Sequence, residues 1–255
     1  MSNESIKRTL GVALAVCVVC SVLVSTATVA LKPLQEANKA KETKKNILMA
    51  AGIYHDGIDI DQAFSKVEAR LVDLKTGKFI EGDATAYDVR KMAKDPKESE
   101  KIPAKLDMAH IRTKAPKAVI YMIHKDGALE TLILPIYGKG LWSTMYAFMA
   151  LQGDGNTVKG LSFYDHGETP GLGGEVDNPR WKALWPGKTL FDQQHNLQIR
   201  LPKQAVDNNL PESIHQVDGL GGATLTTRGI ENLIRFWMGS EGYGPLLKQI
   251  HGQGV

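Results

Sequence analysis

The segment TLGVALAVCVVCSVLVSTATVAL, from Thr9 to Leu31, runs for 23 residues without a charged side chain. As a helix it would be about 34 Å long, enough to cross a hydrocarbon core of roughly 30 Å. A cleaved signal peptide is the competing interpretation, because Lys7 and Arg8 precede the run and Thr28-Val29-Ala30 resembles a cleavage site. The apolar region of a signal peptide normally spans about 7–15 residues. We therefore expect a retained transmembrane helix over residues 9–31.

Basic residues on both sides of this run leave its orientation open. Lys7 and Arg8 precede it, and five lysines follow it between residues 32 and 45. A positive-inside count would place the rest of the chain in the cytoplasm. That rule applies to short loops, however, and long domains translocate largely regardless of charge.

The composition beyond the apolar run is that of an ordinary globular protein. About 220 residues remain, enough for one large domain or two small ones. The 31 basic and 28 acidic side chains nearly balance, so we expect no nucleic-acid partner. The two cysteines, Cys17 and Cys20, lie inside the apolar run. The soluble part therefore has no disulfide, thiolate nucleophile or cysteine-ligated iron–sulfur cluster, and we expect no metal site.

Apolar spacing and turn signals in the soluble part predict a mixture of helices and strands. The predicted helices are residues 34–53, a short helix that opens the segment 59–80 and runs into a strand before a turn at 76–78, and residues 226–239. The predicted strands are 118–123, 129–137, 157–164 and 196–201, with 142–151 either a strand or a short helix. Residues 90–105 mix charge and proline without a period and predict a solvated loop. The pattern favours an α+β fold, an antiparallel sheet flanked by helices.

Two glycine-rich loops carry the strongest chemical signal. HGETPGLGGE, residues 166–175, follows a predicted strand, and DGLGGAT, residues 218–224, precedes a predicted helix. Glycine permits close backbone approach to a ligand, and the N–H groups at a helix start favour an anion. The second loop matches neither the G-x-G-x-x-G pattern nor the P-loop. From the residues alone, the alternative is a plain turn in which Thr224 or Thr226 caps the helix.

The DGLGGAT loop resembles the flavinylation motif of FMN-binding domains, in which the final threonine bears FMN through a phosphoester. Further stretches extend the resemblance to the NqrC family, the FMN-bearing subunits of sodium-translocating NADH:quinone oxidoreductases (NQR). These stretches are the apolar run, KPLQ (32–35), NIL (46–48), GKGLWS (138–143), ETPGLGGEV (168–176) and NPRW (178–181). One departure is Gly221, because the family motif usually has Ser or Thr at that position.

The resemblance implies a set of cofactor-binding residues and no catalytic residue, since the cofactor carries the chemistry. Thr224 would be the covalent FMN acceptor, and Asp218 would serve recognition by a magnesium-dependent flavin transferase or cap the turn. The other implied cofactor contacts are Ala223 and Gly222 beside the acceptor, Glu168, Thr169, Gly171 and Leu172 along the flavin, and Gly140, Leu141 and Trp142 as an opposite wall.

The remaining polar and aromatic candidates receive no role in the chemistry. His166 and Glu168 are two residues apart on a loop, which is poor support for a general base or a metal pair. Trp181 and Trp185, four residues apart, are expected to pack in the core.

The resemblance also implies a function. The chain would be the electron-carrying subunit of a translocase that oxidises NADH, reduces ubiquinone and exports sodium. It would take one electron at a time from an iron centre in neighbouring membrane subunits and pass it to another covalently bound FMN. Its partners would be the other subunits, the flavin transferase and the bacterial inner membrane. The implied regions are a cytoplasmic N-terminus (1–8), the transmembrane helix (9–31), a membrane-proximal helical or mixed region (32–115) and a periplasmic FMN-binding domain (116–255).

Three other interpretations remain open from the sequence. The nearest is the equivalent FMN-carrying RnfG protein of an Rnf electron-transport complex. The long segment between the apolar run and the glycine loops argues against it. The second is a cofactor-free, membrane-anchored binding or assembly protein. The third is a hydrolase that pairs Thr224 with His166, for which no motif is present.

Overall fold

The structure is a computed structural model that describes residues 6–252, and the chain divides into two units at Thr43/Lys44. Residues 1–5, most of the predicted N-terminal segment 1–8, lie outside the described part. The described part of the first unit, residues 6–43, belongs to α1 (Ile6–Ala50), which continues into the predicted helix after the apolar run. Within the described residues, α1 is the one helix with the length and apolar composition to cross a membrane. Its apolar window is fully exposed, as lipid surroundings would require.

The second unit is built on a six-stranded antiparallel sheet in the order β2-β1-β5-β6-β7-β8. Its strands are β1 (Val67–Asp73), β2 (Phe79–Ile80), β5 (Lys117–Lys125), β6 (Ala128–Lys139), β7 (Thr144–Gln152) and β8 (Val158–Asp165). A small separate pair consists of β3 (Glu100–Lys101) and β4 (Thr113–Lys114). The predicted hairpin of β5 and β6 is confirmed. Asp126 and Gly127 join it with φ of +53° and +84°, as a type I′ turn requires.

Helices cover the sheet and close the core. They are α2 (Ile60–Phe64), α3 (Val89–Met92), α4 (Pro179–Lys182), α5 (Thr224–Met238) and α6 (Gly244–Gly252), with 3₁₀ turns at Gly173–Asp177 and Pro211–His215. The main core lies between the sheet and α5, and it includes the buried Trp185 and Trp237. Trp181 packs edge-to-face on Trp185 at 5.5 Å, which confirms both predicted tryptophans as core residues. The α+β prediction is therefore correct.

Three element predictions need correction. The segment 90–105 is not a plain loop, because α3 and β3 lie at its two ends and the Asp88 carboxylate caps α3 by accepting the Lys91 N–H. Residues 196–201 form only isolated bridges rather than a strand. There, the Leu201 N–H binds the Glu231 carboxylate instead of a neighbouring strand. The predicted helix 226–239 begins earlier, at Thr224.

Candidate functional site

Thr224 is the first residue of α5 and is exposed. The N-cap position belongs to Ala223, which has no side-chain cap, so the predicted capping by Thr224 or Thr226 is wrong. The Thr226 hydroxyl is buried and donates to the Glu168 carboxylate. The Thr227 hydroxyl accepts the Leu220 N–H at 2.9 Å. Because no side chain caps this helix end, its first N–H groups and the positive end of its dipole face the exposed Thr224 position.

The loop before α5 is tied down through Asp218. Its carboxylate accepts the Val206 N–H at 2.7 Å, and its backbone carbonyl accepts the Trp181 indole N–H at 2.8 Å. The Asp218 carboxylate thus fastens this loop to residue 206, while a role in recognition by a flavin transferase stays a prediction. Gly222 then turns the chain toward α5 with φ of +73°, a left-handed conformation that favours glycine.

Glu168 organises a second part of the site although only 5% of it is exposed. Its carboxylate accepts four hydrogen bonds: from the N–H groups of Leu141 (3.2 Å), Trp142 (3.0 Å) and Ser143 (3.4 Å), and from the Thr226 hydroxyl (2.6 Å). Burial alone would raise the pKa of Glu168, but these hydrogen bonds hold it below its ordinary value. A buried carboxylate thus fastens the loop 140–143 to α5.

Two glycines leave room for this carboxylate. A Cβ atom at Gly140 would lie 2.5 Å from Glu168 Oε1, and one at Gly173 would lie 2.6 Å from Thr226 Oγ1 and 2.9 Å from Glu168 Oε2. Real Cβ atoms do not approach so closely, and the glutamate is already fixed by its four donors. The structure therefore brings together segment 140–143, segment 168–173 and the first turn of α5.

Large apolar side chains are exposed around this junction. Trp142, Leu172 and Leu141 are 67%, 45% and 42% exposed. A Cβ at Gly222 would lie 3.2 Å from Leu172 Cδ2, so the Leu172 side chain lies beside the turn that leads to Thr224. Leu225, next to Thr224, is also exposed and was not predicted as a site residue. These side chains offer an apolar surface to a flat aromatic ring.

A cavity of about 330 Å³ opens beside Thr224. The cationic side chains Lys203 and Arg228 line it, and neither forms an ion pair with the described residues. Arg228 lies one turn after Thr224 on α5, a spacing that is present in the sequence but was not predicted to matter. The cavity includes Gly222 but not the predicted flavin contacts at 140–142, 168, 169, 171 and 172. Of these, residues 140–142 lie at the Glu168 carboxylate, and Leu172 lies beside Gly222.

His166 is held by neighbours of its own. Its Nε2 lies 2.9 Å from Asp177 Oδ2, and its Nδ1 accepts the Glu168 N–H at 3.3 Å. The hydrogen bond with Asp177 raises the pKa of His166. Both ring nitrogens are thus engaged away from Thr224, which gives no support to a Thr224–His166 hydrolase.

Comparison with known proteins identifies the family of this chain. Residues 140–239, which span both glycine loops and the whole of α5, match the family described as FMN-binding domain. The NqrC subunit of the Na(+)-translocating NADH-quinone reductase from Pseudomonas aeruginosa is 49% identical over 254 residues, covering 98% of this chain and 97% of that protein. Its counterpart from Vibrio vulnificus is 46% identical over 255 residues, covering 100% and 99%. This chain belongs to the NqrC family.

The solved structures support the family and the fold together. The crystal structure of Shewanella oneidensis NqrC superposes with a TM-score of 0.77 at 39% identity, covering 85% of this chain and 99% of that one. The Pseudomonas and Vibrio relatives are named as subunits of the NADH-quinone reductase and not of an Rnf complex. Family membership therefore favours the first sequence interpretation over its nearest alternative.

Proposed function

We propose that this NqrC-family protein bears FMN through a phosphoester on Thr224 Oγ1 and serves as a one-electron carrier within a sodium-translocating NADH:ubiquinone reductase. The observation that carries the proposal is the position of Thr224, exposed on an uncapped helix start and lining a cavity with two unpaired cations. FMN would supply the one-electron chemistry, and the protein would supply its attachment, position and surroundings.

The surroundings of Thr224 suit a phosphate diester. Such a group carries one negative charge, which the N-terminus of the 15-residue helix α5 favours by about 0.3–1 kcal/mol. Lys203 and Arg228 add positive charge in the same cavity, and the Glu231 carboxylate that also lines it is paired with Arg200 and the Leu201 N–H. Ala223 and Gly222 form the turn that leads into the helix, and the left-handed Gly222 keeps this turn tight.

The flavin ring would contact the exposed apolar side chains near Gly222. Leu172 lies beside that glycine, and Leu141 and Trp142 extend from the neighbouring loop. Thr169, Gly171 and Gly140 complete the proposed surroundings. Glu168 acts here as a positioning residue, because its buried carboxylate already accepts four hydrogen bonds that hold the two loops and α5 together.

The proposed place of the protein in the cell is supported by the apolar helix α1 and by the family. The apolar segment 9–31 would anchor the chain in the bacterial inner membrane, with residues 32–115 proximal to it and the FMN-binding domain 116–255 in the periplasm. Electrons would arrive from an iron centre and leave to another covalently bound FMN in the partner subunits. Anchoring would keep the FMN of this chain near redox centres in the bilayer.

The mass of the intact protein tests covalent attachment. Full-length protein made together with its flavin transferase should gain the mass of one FMN moiety. Thr224→Ala should abolish the gain, while Thr169→Ala, which removes another exposed hydroxyl near the site, should retain it. An unmodified wild-type mass with an active transferase, or a gain that survives Thr224→Ala, would contradict the proposal.

Two further measurements test the location and the partners. Protease should cleave the domain from outside in spheroplasts, and protection there would contradict the periplasmic assignment. Copurification should recover subunits of the NADH:quinone reductase, and recovery of Rnf subunits in their place would favour the alternative complex.

A further inference from the structure

A second cavity, of about 380 Å³, lies away from Thr224 and has no role in the proposed function. It is bounded by the end of β6, the start of β7, α3 with the residues after it, and the loop before β4. Its lining residues are Arg90, Ala93, Lys94, His110, Ile111, Arg112, Thr113, Tyr137, Lys139, Thr144 and Tyr146.

The charged side chains that line this cavity have one sign. Four of the lining side chains are cationic, and none is a carboxylate. Asp165 neutralises Arg90 through a 2.7 Å ion pair, and the Arg90 guanidinium lies 3.5 Å above the ring of Tyr146. Lys94, Arg112 and Lys139 form no ion pair with any residue in the described range 6–252. Their mutual repulsion would be relieved by an anion between them.

Tyr137 lines the cavity and carries a buried hydrogen-bond donor. The Tyr137 hydroxyl has no hydrogen-bond partner among the described residues. Its ring is held between Tyr146 at 5.5 Å and Trp237 at 4.9 Å, so the hydroxyl is fixed in place. Burial raises the pKa of Tyr137, which keeps the hydroxyl protonated and able to donate. Buried polar groups are nearly always paired, so an orphan at a basic cavity indicates a ligand with acceptor oxygens.

The loop that supplies His110 and Arg112 is held in a strained shape. These residues have φ of +53° and +66°, left-handed values that are uncommon for residues with a Cβ. The Asp107 carboxylate fixes the loop by accepting the N–H groups of Ile111 at 2.9 Å and Arg112 at 2.8 Å. Strained backbone of this kind clusters at functional sites, where the surrounding structure holds it in place.

We propose that this cavity is a binding site for a phosphate-type anion, with Lys94, Arg112 and Lys139 as charge partners and the Tyr137 hydroxyl as a buried donor. The anion would be either free phosphate or the headgroup of an acidic phospholipid, which share this chemistry. A small anion fits better than an acidic protein segment, because the donor is buried and the cavity is of small-ligand size. The assignment does not depend on FMN attachment.

Calorimetry on the full-length protein in detergent at constant ionic strength tests the site. Inorganic phosphate and dihexanoyl phosphatidylglycerol are titrated separately, and whichever saturates a single site identifies the source. Arg112→Gln should weaken that binding at least about tenfold, as expected for a lost charge-assisted hydrogen bond. Arg180→Gln, which removes an exposed positive charge that lines neither basic cavity, should leave binding unchanged.

Tyr137→Phe separates ligand binding from folding. Because the hydroxyl has no partner among the described residues, its removal should not lower the unfolding midpoint without anion, yet it should weaken binding. Absence of saturable binding of both probes overturns the proposal. Equal anion binding by the Arg112→Gln and Arg180→Gln proteins also overturns it. Loss of anion binding in Arg228→Gln alone overturns it too, because that result would assign the anion to the Thr224 cavity. Weaker recovery of partner subunits with Arg112→Gln, without binding of either probe, would assign the surface to an acidic protein instead.

Discussion

The Thr226 hydroxyl donates a 2.6 Å hydrogen bond to Glu168 Oε2 across 58 residues of sequence. Both side chains are buried. The same carboxylate accepts the N–H groups of the loop 140–143. The Glu168 carboxylate thus fixes the first turn of α5, which includes Thr224, relative to the loop that contains Trp142.

Thr226→Val should lower the free energy of unfolding by about 1.5–3 kcal/mol, because it removes a hydrogen bond to a buried charge while keeping the side-chain shape. Thr226→Ser keeps the hydroxyl and should lose less. Denaturant titration of the full-length protein in detergent measures both. Equal stability of the Val and Ser proteins would mean that the bond to Glu168 contributes nothing.

The low pKa of Glu168 predicts a pH dependence with a definite sign. Because its pKa in the folded protein lies below the ordinary value of 4.5, the ionised form stabilises the fold fully above that pH. The contribution is lost as the pH falls through the folded pKa. Glu168→Gln should therefore destabilise the protein at neutral pH, and its deficit should shrink below about pH 4.5. A deficit that is constant from neutral pH to about pH 3 would contradict this assignment.

The parts predictable from sequence were those whose signals are local. The strands β5 and β6 follow from two apolar runs around an Asp-Gly turn, and α5 follows from its apolar spacing. Residues 196–201 have an equally good strand pattern, but their backbone is held by side chains such as Glu231, which only the tertiary structure brings near. Helix α6 was not predicted at all.

The same distinction applies to the site. Thr224 and Gly222 could be found because they lie in one short motif. The positioning role of Glu168 could not, because its partners lie 25 to 58 residues away in sequence. Lys203 and Arg228 share a cavity only because the loop after residue 201 lies against the start of α5.

His166 should titrate above its ordinary pKa of 6.5, because its hydrogen bond with Asp177 favours the charged ring. The stability that this pair contributes is full below pH 6.5 and is lost as the pH rises through the folded pKa. NMR titration of the imidazole should show a lower pKa in Asp177→Asn than in wild type. An unchanged pKa in that variant would assign the shift to another group.

The adjacent glycines 221 and 222 should differ in how far substitution by serine lowers the free energy of unfolding. A Cβ at Gly221 meets no atom within 4 Å and φ is not left-handed, so Gly221→Ser should fold as stably as wild type. Gly222 has φ of +73°, and its Cβ would lie 3.2 Å from Leu172 Cδ2. Gly222→Ser should therefore lose about 1–2 kcal/mol from the left-handed backbone alone.

Denaturant titration of both serine variants, with the intact mass after coexpression with the transferase, checks this pair. Gly221→Ser restores the hydroxyl that is usual in the flavinylation motif, so the added FMN mass should persist in full. Gly222→Ser should reduce the modified fraction, because the strained turn displaces the start of α5 from its fixed position beside Leu172. Equal stability and equal modification of the two variants would mean that the Gly222 conformation does not position Thr224.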